Sequence, residues 1–214
     1  MNRWHVLAVV LSAVGLVAGC SPRDGDGAGT SGSALPASPG ENASSASLPY
    51  AGAPKVANPM PSTVLSGDPC IDALTPEQVV AAVGVEAPGK REDLPQIGPA
   101  CAWSNTDTGG AVGVSYTINT HVGLSGVYAN TQPNSAVWRE LPPVRGFPAV
   151  AHAGSKGGAI PVGFCQASIG LADSFSIDVS LTLGSSKKHT EDACILITQI
   201  ADMTVATLKA KVGS

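Results

Sequence analysis

Apolar and polar residues alternate most strictly between positions 164 and 184, in FCQASIGLADSFSIDVSLTLG. Cys165, Ala167, Ile169 and Leu171 share one side of the first half, and Phe175, Ile177, Val179, Leu181 and Leu183 share one side of the second. Ser174, Ser176, Asp178, Ser180 and Thr182 take the opposite side. A period of two with one apolar side predicts two antiparallel strands with a wet outer face, joined by a turn at Ala172-Asp173. VGVSYTI at 112–118 has the same period, with Val112, Val114, Tyr116 and Ile118 inward. CAWSN at 101–105 comes before it, places Cys101 and Trp103 on one side, and connects through DTGG at 107–110, a hairpin turn signal. RGFPAVAHAG at 145–154 predicts a turn and a strand, with Pro148 pointing to a sheet edge. Between them the period weakens. GLSGVYANT at 123–131 reads as a short helix and VWREL at 137–141 as a short strand or extended segment.

Two segments carry helical punctuation. In TPEQVVAAVG at 75–84, Thr75 is the N-cap, Pro76 opens the first turn, Gln78 completes a capping box and Gly84 ends the helix. Val79, Val80 and Val83 form its expected buried stripe. Residues 85–99, with three prolines, read as loop. In TEDACILITQIADMTVATLKAKV at 190–212, Thr190 is the expected cap. Glu191 and Asp192 lie at the positive end of the helix dipole, Lys209 and Lys211 at the negative end. Cys194, Ile197, Ala201, Val205 and Leu208 make one stripe. The expected fold is α+β: an antiparallel sheet packed on one face by a short N-terminal helix and a C-terminal amphipathic helix.

The first twenty residues, MNRWHVLAVVLSAVGLVAGC, have a positive start, an apolar stretch too short for a comfortable membrane span, and small residues before a cysteine. This is the layout of an export signal over residues 1–19. A plain signal peptide needs no cysteine after its cleavage site, whereas Val17-Ala18-Gly19-Cys20 matches a lipobox, with Cys20 as the lipidated first residue of the mature chain. Two acyl chains suffice for stable anchoring. The expected location is therefore the outer face of the cell membrane. Residues 20–66 are rich in Ala, Gly, Ser and Pro and read as a disordered tether. Residues 67–214 read as one globular domain.

Five cysteines stand at 20, 70, 101, 165 and 194. With Cys20 lipidated, four remain in an exported domain, which implies two disulfides from three possible pairings. Cys165 faces inward from a strand and Cys194 faces inward from the first turn of the helix that covers the sheet. Cys70 lies just before the first helix and Cys101 at the first strand. These placements favour Cys70–Cys101 and Cys165–Cys194. A four-cysteine zinc site is disfavoured, because the gaps are long and no C-x-x-C knuckle occurs.

The order of lipobox, polar tether, Asp68-Pro69-Cys70, Cys101-Ala102-Trp103, Gly146 to Val150, Phe164-Cys165 and a cysteine opening a C-terminal helix resembles actinobacterial lipoproteins that carry the domain of unknown function 3558. The resemblance covers roughly 67–214. It implies an exported lipoprotein of mycobacteria or their relatives, and it brings neither a reaction nor catalytic residues.

The formal charge is −4, and losing residues 1–19 removes one arginine and no acid, leaving −5. No basic patch alternates with aromatics, which argues against a nucleic-acid partner. No G-x-S-x-G elbow is present. The mature histidines, His121, His152 and His189, are the only histidines available as a general base; their wide spacing and the lack of H-x-x-x-H favour surface or loop roles over a metal site. GSKGG at 154–158 lacks the Ser/Thr and helix of a phosphate loop and reads as a hairpin turn. Trp103 reads as packing beside Cys101, with a pocket-lining role as the alternative. Trp138, in the irregular 119–146 region, is the candidate exposed recognition residue. The expectation is a binding or interaction role without catalysis or cofactor. Its partner would be an envelope protein or an apolar ligand held between the sheet and residues 119–146. The alternatives are a cell-envelope hydrolase and an apolar-ligand carrier.

Overall fold

A computed structural model describes residues 47–213; the lipobox and Cys20 lie outside the described residues. Seven strands form one antiparallel sheet: β1 (Lys90–Arg91), β2 (Ala100–Asn105), β3 (Gly110–Thr117), β4 (Ser135–Val144), β5 (Phe147–Ser155), β6 (Phe164–Ala172) and β7 (Phe175–Thr182). Their order across the sheet is β1-β2-β3-β7-β6-β5-β4. The central ladder is set by the strict alternation: Ala167 pairs with Val179 and Ile169 with Ile177, while Val114 pairs with Val179 from the other side. The resulting inner face is completely buried at Cys165, Ala167, Ile169, Ile177 and Val179.

Four helices frame the sheet: α1 (Pro69–Asp72), α2 (Pro76–Val83), α3 (Gly123–Gly126) and α4 (Ala193–Val212). α4 lies over β6 and β7, and α2 over β2 and β3. All five residues of the expected α4 stripe are buried. By length and composition α4 could cross a membrane, but that stripe packs into the core of this domain. Disulfides Cys70–Cys101 and Cys165–Cys194, each with Cα atoms 5.1 Å apart, join the helical layer to the sheet.

α2 has the expected capping box, with reciprocal bonds between Thr75 and Gln78, and Gly84 closes it in the left-handed conformation. Its buried stripe is Val79 and Val83, one turn apart on the same face; Val80, about 100° round the helix from Val79, is 39% exposed. The cap of α4 is Asp192, not Thr190: its carboxylate accepts the Cys194 N–H at 2.8 Å. The β6–β7 turn falls at Asp173-Ser174, one residue later than expected, because Ala172 pairs with Phe175 across a register shift. Pro148 does not mark an edge. β5 pairs on both sides, and Pro148 is accommodated opposite a bulge in β4 and before pairing with β6 begins at Ala149. The edge strand on this side of the sheet is β4, which carries Pro142 and Pro143.

The folded body also begins earlier than residue 67. Val56, Met60, Val64 and Leu65 are buried in the main core, Met60 N–H bonds the Leu171 carbonyl at 2.9 Å, and Val56 N–H bonds Asp173 Oδ1 at 2.8 Å. Apolar residues spaced every four or so positions let this Pro-rich stretch fold onto the sheet, so residues 47–66 are part of the domain and not tether.

Candidate functional site

The outer face of the sheet is covered over part of its area. Residues 119–134 pack across it as α3, a π-helical turn (Val127–Thr131) and a 3-10 turn (Gln132–Asn134). Leu124 and Tyr128 from this segment join Val150 of β5 and Ala53 of the N-terminal stretch in a second, smaller core. Gly170 permits the approach, since a Cβ there would stand 3.0 Å from two carbons of Leu124. Ser176, expected on the wet outer face, is completely buried, and so is Ser168 beside it.

Beside this cover a cleft of about 380 Å³ opens onto the sheet. Ile97, Val122 and Val127 form apolar walls, Gly123 and Gly126 present backbone, and the floor is Thr117, His152, Ser168 and Asp178. The floor follows from register. Asp178 on β7 faces Ser168 on β6 directly, with Thr117 of β3 and His152 of β5 on the diagonals.

The floor is one hydrogen-bonded chain. The Ser168 hydroxyl donates to Asp178 Oδ1, and the Thr117 hydroxyl donates to Asp178 Oδ2 at 2.5 Å. With its single proton committed to the carboxylate, Ser168 Oγ accepts from His152 Nε2 at 3.3 Å, which assigns the Nε2–H tautomer. Burial pushes the His152 pKa down, partly opposed by the Asp178 charge, so the ring is neutral at pH 7. Trp138 lies over His152 with ring centroids 6.2 Å apart and planes at 20°, and Tyr128 meets Trp138 edge-on at 5.2 Å. Thr120 Oγ1, also at the cleft, is buried without a hydrogen-bond partner, as are Trp138 Nε1 and Ser176 Oγ.

The sequence-derived site residues separate. Trp103 is 3% exposed and packs in the main core, which is the packing role, so it is no recognition residue. Trp138 is half-buried, not exposed, and acts as the support on which His152 rests. His121 and His189 are both exposed and the three histidines are not brought together, while His152 sits inside the sheet face and not in a loop. Ser185 and Lys188 have S-x-x-K spacing but occupy an exposed loop between β7 and α4. No group of three or more metal-ligating side chains occurs among the described residues. Asp178, Ser168 and Thr117 escaped the sequence reading because alternation assigns them to water. Their small size was the available signal: Ser168, Gly170 and Ser176 leave room for a covering element that long solvated side chains would exclude.

This body defines a disulfide-braced α+β domain with a polar-floored cleft. The chain belongs to the family described as a protein of unknown function, DUF3558, whose family model matches residues 15–207. Neither a curated protein nor a solved structure matches it.

Proposed function

We propose that the chain is an actinobacterial lipoprotein, anchored through Cys20 on the outer face of the cell membrane, whose folded body binds a small ligand in the cleft beside residues 119–134. The lipobox motif supports the anchor, and two disulfides suit an oxidising compartment outside the cytoplasm. One observation carries the binding role: the floor runs Asp178–Ser168–His152, with the serine in the middle. A Ser-His-Asp hydrolase needs the imidazole in the middle, accepting the hydroxyl proton. Here the hydroxyl points at the carboxylate and the imidazole donates to it, an order that fixes polar groups for recognition and opposes the hydrolase alternative.

Native mass spectrometry of the full chain, extracted from its own membrane in mild detergent, tests this. A retained small-molecule mass, lost in Asn130→Trp at the exposed rim of the cleft, is expected. An empty protein in both forms contradicts the binding role. Cys20→Ser should release the protein or leave it as unprocessed precursor; a membrane-bound product of mature size contradicts the anchor.

A further inference from the structure

Resting on that binding role, we infer that the cleft selects a small amphiphile whose head is an ammonium group, and discriminates against one whose head is anionic. Asp178 is the only formally charged residue among those lining the cleft, and no Lys or Arg lines it. Each Asp178 oxygen already receives one hydroxyl proton, from Ser168 or Thr117, but a carboxylate has about four acceptor positions. The remaining ones can be filled only by a donor. His152 donates its Nε2 proton to Ser168 and is neutral, so it offers no compensating charge to an anion. The Thr120 hydroxyl, also at the cleft and unpartnered, has acceptor capacity to spare. An anion would instead meet a half-buried carboxylate of like sign, where solvent screening is weaker than at an open surface. The apolar walls of Ile97, Val122 and Val127 suit a short hydrocarbon tail, and the volume lies near the lower end of the roughly 300–1,000 Å³ typical of small-molecule sites.

The test uses the full lipidated chain in nanodiscs and three probes of equal tail length: butylammonium, butanol and butanoate. Binding is read from the indole N–H resonance of Trp138, which reports on the cleft floor through His152. Butylammonium should bind at least tenfold tighter than butanoate. Asp178→Asn should abolish that preference. Should Asp178→Asn fail to fold, Asn130→Lys, at an exposed position on the rim, carries the test: it should weaken butylammonium at least fivefold and favour butanoate. Butanoate or butanol binding as tightly as butylammonium overturns the charge selectivity and leaves the cleft as a binding site. No response to any probe overturns both.

Discussion

The Asp192 carboxylate accepts the backbone N–H of Cys194 at 2.8 Å, and the same carboxylate pairs with Arg139 of β4 at 2.7 Å. The other disulfide repeats the device. Asp68 accepts the Cys70 N–H at 2.8 Å and pairs with Arg91 of β1 at 2.8 Å. Each edge strand of the sheet thus supplies the arginine that holds the aspartate capping a cysteine-bearing helix. Asp192→Ala removes the cap of α4 and should cost about 1 kcal/mol, read as a lower urea midpoint at unchanged slope. Arg139 beside Asp192 holds its carboxyl below the usual range. A depressed carboxylate contributes stability above its unfolded pKa, which is lost as pH falls through the native value, so the mutant's deficit should shrink below about pH 4. A deficit that persists undiminished at low pH contradicts the capping account.

Cys165–Cys194 closes a loop with a sequence separation of 29 residues between β6 and the first turn of α4. Replacing both cysteines with alanine should lower stability by about 3–4 kcal/mol on the chain-entropy estimate. Calorimetry of the double mutant against the oxidised protein checks this. A loss under about 1 kcal/mol shows that packing alone docks α4.

Burial depresses the His152 pKa below the ordinary value of 6.5. The unfolded chain then binds more protons than the native one as pH falls through 6.5, so stability drops with acidification, by at most about 1.4 kcal/mol per pH unit for one group. Urea midpoints between pH 7.5 and 5.5 should fall for the wild type and change less for His152→Gln. Parallel lines for the two proteins contradict the assignment of a neutral buried imidazole.

Tyr116 is completely buried and its hydroxyl has no hydrogen-bond partner. Tyr116→Phe removes an unsatisfied group and keeps the ring, so stability should stay level or rise by up to about 1 kcal/mol. A loss beyond 1 kcal/mol would show that the hydroxyl is satisfied in solution.

Strands β6 and β7, α2, α4 and the two cysteine pairings follow from local rules: alternation, capping residues, and cysteines on facing surfaces. The cover over the outer face does not. Its residues 119–134 mix α, π and 3-10 turns, and no single period survives such a sequence. Val56 to Leu65 were equally hidden, because four apolar residues scattered among Pro, Ser and Asn look like tether until the sheet that receives them is known. The site shares that difficulty. Asp178 and Ser168 alternate as solvent-facing residues should, and only the tertiary arrival of α3 turns them into a cleft floor.

Photocrosslinking inside the producing cell tests the cleft most directly. A photoreactive amino acid at Asn130, on the rim, should yield the full chain with an added small-molecule mass, and the same amino acid at Ile160, exposed in the β5–β6 loop, should not. No adduct at 130, or equal adducts at both positions, contradicts a ligand site beside residues 119–134.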